Sequence, residues 1–331
     1  MVQLKMKVIR KSITEISESE KTQIDNFIEK NDGLIFHETR FNEIASLCFN
    51  TSLFYFLALQ EEKLIGICPV HAIRKKNVFN SFSNLTQFEI PYGGWVYEKT
   101  SINSKLLYKK TKPKFNENLT IFSSFLHSAD LDNFSNKTLQ TALIDLEFDE
   151  SYILSTIISS NTRHNIRRAS KKGVSIIEIT DITIFIKLYN TLKGVINKEI
   201  KDENEKFLEQ LFSEFNKKNK AFIIGAVFRE EIISAVLCIG NCNIYHAYIA
   251  GRIAVLPRNI YQNERIWWDC ILRAKHLGAN SFDLCVIEPE RLPNIAQFKM
   301  GFTKELIPFY CMSKKSFLFR VINKIQNVFT N

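Results

Sequence analysis

Residues 163–174 read RHNIRRASKKGV, three arginines and two lysines within one short segment near mid-chain. On a helix Arg163, Arg167 and Lys171 fall on one stripe, and Arg168 and Lys172 on the next. Such stripes are either a solvated helix end that complements the dipole, or a grip for a diphosphate or an RNA end, which guanidinium forks suit. In NIYHAYIAG, strand alternation puts His246 and Tyr248 on one face. They are satisfied core residues, or they line a channel where His246 takes a proton and Tyr248 donates to a carbonyl. Asp283 sits in the apolar run SFDLCVI, where a carboxylate needs a partner. It either anchors the helix expected over 264–277 or orients a substrate amine. In VLPRNIYQN, Arg258 is placed to meet a phosphate, and Asn259 or Asn263 to cap the following helix. No nucleophile elbow, Walker loop, HExxH or Ser/His/Asp order is present. Direct attack of an amine on an activated acyl donor needs none of these; positioning, an oxyanion donor and a proton acceptor suffice.

The elements that would hold these residues repeat. LFYFLALQEEKLIGICPV and AFIIGAVFREEIISAVLC share the order strand, acidic turn, strand, and each is followed by a third strand and a glycine-bearing segment. The spacing predicts a helix of about 22 residues, roughly 33 Å long, from Glu150 to Gly173, with Gly173 as its C-terminal stop. Asp181 is placed to cap the next helix. Phe207, Leu208, Leu211, Phe212 and Phe215 form one helical face. The repeat divides the chain into 1–150 and 151–313. A terminal amphipathic helix over 314–331 is expected to pack back on the first domain or to lie on a membrane surface.

Composition sets the limits. A chain of 331 residues exceeds the roughly 250–300 at which single cores stop growing, so two domains are expected. With 45% hydrophobic residues and 27 Phe, a disordered chain is excluded. The net charge of +9 favours phosphates, RNA or anionic membrane surfaces as partners. Seven scattered cysteines without a CxxC read as buried free thiols in a reducing cytosol, with no metal site. No leader or membrane-spanning run is evident, so a cytoplasmic protein is expected, at most touching the inner face of the membrane.

Three segments carry a resemblance. IDLEFDESYILSTIISSNTRHNIRRASKKGVSI resembles the junction of the two halves in Fem-type, peptidoglycan-bridge aminoacyltransferases and their FemAB-like relatives, where a helix ends R-x-x-I-R-x-A-x-K-x-G-V. FDLCVIEPERLPNIAQFKMGFTKE resembles their closing F-K-x-G-F pattern, and IPYGGWV a Tyr-Gly-Gly loop of their first domain. The resemblance implies an α/β (α+β) fold of two tandem GNAT-like acyltransferase domains, each a mixed, mostly antiparallel sheet flanked by helices. It implies that Lys299, beside Phe298, sits at the transfer site, where a cation stabilises the oxyanion of a tetrahedral intermediate. It leads us to expect Tyr92, Gly93 and Gly94 to shape an acceptor cleft, and Arg163, Arg167 and Arg168 to hold phosphate at the seam between the halves. GNAT domains bind the acyl-CoA pyrophosphate at a glycine-rich loop that opens a helix; the segment before Asn263 lacks those glycines.

The function expected is transfer of an acyl or aminoacyl group to an amine of a nucleotide- or lipid-linked cell-envelope precursor, of peptidoglycan or surface polysaccharide. Acyl-CoA or aminoacyl-tRNA would be the donor, with no cofactor bound. The alternatives are an acyl-CoA-dependent N-acetyltransferase of sugar-nucleotide or polysaccharide synthesis, and a non-catalytic RNA- or membrane-binding module.

Overall fold

The computed structural model describes residues 6–75, 78–85, 88–127, 137–198, 201–315 and 317. The terminal helix expected over 314–331 falls almost wholly outside them. The chain forms two compact units, 1–139 with 308–331, and 140–307. These limits differ from 150 and 313 because strand pairing sets them. Residues Asp145–Leu143 pair with Ser281–Asp283 of the second unit, and Cys311–Lys314 pair with Leu119–Phe122 of the first.

The first unit runs β1 (Met6–Ser12), α1 (Glu18–Lys30), α2 (Thr39–Cys48), β2 (Ser52–Gln60), β3 (Lys63–Lys75), β4 (Val78–Phe82), the two-residue β5 (Val96–Tyr97), α3 (Ser104–Lys110) and β6 (Glu117–Phe122). Ser17 and Glu20 close a capping box on α1, and Ile24 and Ile28, one turn apart, are its buried side. Alternation along β2 builds both faces of the sheet. Leu53, Tyr55 and Leu57 pack with Ile24 and Ile28, while Phe54, Phe56 and Ala58 pack with Leu107 and Tyr108 of α3.

Strands β1 to β4 are antiparallel neighbours, and β4 then pairs parallel to β6. The chain between them returns close against both strand ends. A Cβ on Gly93 would lie 1.8 Å from the Ser83 carbonyl oxygen, and one on Gly94 1.8 Å from that of Phe122. Gly94 also has a φ of +94°, the left-handed region that side chains resist. Gly94→Ala is therefore expected to destabilise the protein by about 3 kcal/mol or more, seen as a lower urea midpoint at unchanged slope.

The second unit runs β7 (Lys137–Asp145), α4 (Glu150–Tyr152), α5 (Ser160–Lys171), β8 (Ser175–Glu178), α6 (Ile182–Val195), α7 (Asp202–Asn216), β9 (Ala221–Phe228), β10 (Glu231–Gly240), β11 (Ile244–Arg252), α8 (Gln262–His276), β12 (Ser281–Asp283) and α9 (Pro293–Met300). Its strand order is β8-β9-β10-β11-β12-β7, antiparallel except for the parallel pair β11/β12. The final strand β13 (Leu306–Lys314) is antiparallel to β6, which gives the first unit the matching order β1-β2-β3-β4-β6-β13. One face of the second sheet carries Ile144, Tyr245, Phe282 and Leu284 against Ile166 and Ala169 of α5 and Ile266, Cys270 and Ile271 of α8. The five apolar residues expected on one face of α7 are all buried.

The single helix expected over 150–173 is two pieces. α4 continues into a π-helical turn over Ile153–Ile157, and Ile158 is then extended, with φ −72° and ψ 132°. Ser159 restarts the helix by accepting the Thr162 N–H at 3.3 Å. Consecutive β-branched isoleucines before a capping serine make this the weak point of the run. Among the described residues no helix is long and apolar enough to cross a membrane.

Candidate functional site

The parallel register of β11 and β12 places His246 beside Asp283. Nδ1 of His246 lies 2.7 Å from Oδ2 of Asp283, and both residues are fully buried. The other carboxylate oxygen accepts the Thr141 hydroxyl from β7 and the Cys285 N–H, the latter at 3.0 Å. Three donors offset the cost of burying this carboxylate. The carboxylate also holds the imidazole proton on Nδ1, which leaves Nε2 as the basic nitrogen. Tyr248 is the extra residue of a bulge in β11, because Leu237 pairs with Ile249 but Cys238 with Ala247. The alternation that groups His246 with Tyr248 is thus interrupted at Tyr248, and a bulge there re-aims its side chain.

Past β12 the chain turns at Cys285, a non-glycine residue with a φ of +61°. Strained backbone of this kind persists only where its surroundings fix it. The carbonyls of Cys285 and Val286 accept hydrogen bonds from Lys299 Nζ at 3.3 and 2.9 Å. Lys299 is 8% exposed. Burial pulls its pKa below the ordinary lysine value, opposed by the nearby Cys285 and Asp283. Its ammonium lies 5.9 Å from the ring of Trp267 on α8, and that ring meets Phe298 edge-on at 5.1 Å. The end of α9 is locked to the first turn of α5. The Gly301 carbonyl accepts the Ser159 N–H at 2.9 Å, and a Cβ on Gly301 would lie 2.3 Å from Thr162 Oγ1. This close approach accounts for the glycine of the FKMGF segment.

The arginines divide. Arg163 donates to the carbonyls of Leu154, at 3.1 Å, and Ser155, and so caps the turn before α5. Arg167 is exposed. Arg168 lies over the Tyr261 ring at 4.7 Å, directly before α8. The N-cap of α8 is Tyr261 itself, with a φ of +55° and no side-chain cap. Neither Asn259 nor Asn263 fills the capping role expected of it, because the left-handed turn at Tyr261 sets where the helix begins. Asn165 of α5 donates to Glu264 at 3.0 Å, and Arg265 to Ser170 at 3.2 Å. Arg168 therefore stands by the N-terminus of α8, with Arg258 and Asn259 exposed in the loop just before it.

Lys299, Asp283 and His246 come together at the end of β12, with Tyr248 two residues along β11. Tyr92, Gly93 and Gly94 belong to the other unit. Tyr92 has no exposed surface and packs against the rings of Phe36, Phe125 and Phe309 at 5.1–5.5 Å, so this loop is part of that unit's interior. Sequence reasoning missed Thr141, Cys285 and Trp267. The available signals were a hydroxyl in the apolar strand LQTALID, a thiol two residues from Asp283, and an aromatic on the inner side of an amphipathic helix.

No protein-family model matches the chain, and no curated protein matches it. Solved structures do. FemX superposes with a TM-score of 0.67 at 11% identity, over 95% of this chain and 99% of FemX. The C-terminal domain of a protein described as a lysylphosphatidylglycerol synthetase from Agrobacterium fabrum gives 0.55 at 12%, over 89% and 93%. A conserved protein of unknown function from Bacteroides thetaiotaomicron gives 0.56 at 12%, over 91% and 98%. The mixed α/β fold implied by the three sequence segments is the fold observed.

Proposed function

We propose that the protein is an acyltransferase that places an acyl or aminoacyl group on an amine of a cell-envelope precursor, with the chemistry centred on Lys299. One observation carries this reading: a buried ammonium is held beside the His246–Asp283 pair, in a fold shared with FemX. An ammonium has three N–H donors, and two are engaged by the carbonyls of Cys285 and Val286. The third serves the oxygen that becomes negative when an amine attacks the acyl carbon. In a site with little water, such a donor is worth about 10²–10³ in rate. Lys299 and Tyr248 keep small exposed facets of 8% and 9%, while His246 and Asp283 keep none. Lys299 is thus the group that would meet substrate; the Tyr248 hydroxyl is itself buried, and the His246 ring, held by Asp283, stands behind as the proton acceptor.

Arg168 and Arg258, at the N-terminus of α8, suit the phosphates of the donor, either the diphosphate of an acyl-CoA or the 3′ end of a charged tRNA. A lysylphosphatidylglycerol synthetase, by its name, joins a lysyl group to a lipid headgroup. Lipid-linked acceptors therefore belong beside nucleotide-linked ones, both met at the cytoplasmic face of the membrane.

The test is acyl transfer from radiolabelled acetyl-CoA or charged tRNA to nucleotide-linked muropeptides, amino sugars and lipid-linked precursors. Product on a primary amine supports the reading. Absence of product from every donor and acceptor, in protein that binds RNA or anionic vesicles, would replace it with a binding module. Titration with acetyl-CoA identifies the donor: salt-sensitive binding that Arg168→Glu abolishes assigns an acyl-CoA.

A further inference from the structure

We infer that Cys285 is an acyl-carrying nucleophile served by His246 and Asp283, so that transfer passes through a thioester on the protein. This rests on the acyltransferase reading above and adds a covalent step to it. The sulfur of Cys285, a ring nitrogen of His246 and a carboxylate oxygen of Asp283 all lie within 4.8 Å of one another. Asp283 orients the imidazole through the 2.7 Å contact. A nucleophile, a base and an orienting carboxylate are thereby assembled from β11, β12 and the turn after it, and such groups commonly stand somewhat apart before substrate binds. All three residues are buried, with Cys285 at 7% the most exposed of them, so the acyl donor must reach the thiol through the opening that also serves Lys299.

The backbone of Cys285 is fixed at both ends. Its N–H is given to Asp283 at 3.0 Å and its carbonyl receives Lys299 at 3.3 Å, which maintains the left-handed conformation at this residue. An imidazole near a thiol can take its proton as the sulfur attacks. Cys68 and Cys238 are enclosed by apolar residues, where burial pushes the thiol well above its usual range. Three such groups also form a metal-ligand set. Here Nδ1 and Oδ2 are spent on each other, the second carboxylate oxygen holds two donors, and a lysine stands alongside. The nucleophile reading leaves these bonds intact.

The step balances without redox change. The thiol gives its proton to His246, and sulfur bonds to the acyl carbon of a thioester or aminoacyl ester donor. The donor's carbon–sulfur or carbon–oxygen bond breaks, and its leaving group takes the proton from His246. The acceptor amine then attacks the new thioester, the bond to Cys285 breaks, and the amine's proton passes to the released sulfur. Lys299 faces the oxyanion in both halves.

The test uses the whole protein and needs no identified acceptor. Iodoacetamide at neutral pH is expected to alkylate Cys285 about tenfold faster than exposed Cys242, and His246→Gln to remove that advantage. Incubation with acetyl-CoA alone, followed by acid quench and peptide mass analysis, is expected to find one acetyl group on Cys285. Labelling no faster than at Cys242 in the unmodified protein would overturn the inference, whatever the fate of the variants. So would one equivalent of zinc in the purified protein that His246→Gln removes, which would make the cluster a metal centre. Full transfer activity in Cys285→Ala would end the covalent route while leaving the acyltransferase itself standing.

Discussion

Lys299→Met is expected to lower the rate of acyl transfer by about 10²–10³-fold while shifting the thermal midpoint little. The two effects separate because the amine is costly where it lies. Burial disfavours its charged form, and methionine fills a similar volume with a flexible apolar chain. Two carbonyls lose their donor: that of Val286 is half-buried, where water can replace it, while that of Cys285 belongs to a buried residue, and its loss offsets the gain from removing the amine. The pH profile carries the same signature. Lys299 stabilises an oxyanion only while protonated, and its pKa is depressed, so its contribution is complete at low pH and disappears as pH rises through that depressed value. The alkaline fall in kcat should therefore begin below the ordinary lysine range, and Lys299→Met should lack it. Activity within threefold of the native rate would remove Lys299 from the chemistry.

Asp283→Ala is expected to destabilise the protein by about 3–5 kcal/mol, read as a lower urea midpoint, and to abolish transfer. One substitution leaves the His246 ring N–H, the Thr141 hydroxyl and the Cys285 N–H without their acceptor, in a position with no solvent exposure. Asp283→Asn should behave differently. Its carbonyl can still accept from Thr141 and Cys285, but its amide turns a donor toward His246. The imidazole must then accept at Nδ1 and carry its proton on Nε2. Most of the stability should survive, while transfer falls by about 10³-fold or more from the wrong tautomer. Equal stability losses in the two variants would argue against this account.

Elements with a strong local pattern were legible in the sequence. The five apolar residues of α7, the two hairpins, and Asp181 as the cap of α6 at 2.9 Å all follow from spacing and capping chemistry. His246, Asp283 and Lys299 could be singled out by residue type and motif, since each is an ionisable group in apolar surroundings. Their mutual arrangement could not be read. Thr141 and Asp283 are 142 positions apart, and Lys299 reaches Cys285 only because that residue takes a backbone conformation that no local rule assigns to cysteine. The arginine run shows the same limit. Its periodicity was correct over α5, but the break at Ile158 exposes carbonyls that occupy Arg163, and no stripe analysis anticipates that break. The boundaries at 150 and 313 were displaced because hydrogen bonding, rather than order along the chain, assigns β7 and β13 to their sheets.

The two glycines that lie against Ser83 and Phe122 bear on stoichiometry. Among the described residues each half of the polypeptide contains one pair of parallel strands, β4 with β6 and β11 with β12. In the amino-terminal half, the molecule's own main chain occupies the ground beside that pair, where a Cβ would collide with either strand. A compound that needs the ground beside a parallel pair is thus expected in the carboxyl-terminal half alone, and equilibrium dialysis should saturate at a single equivalent.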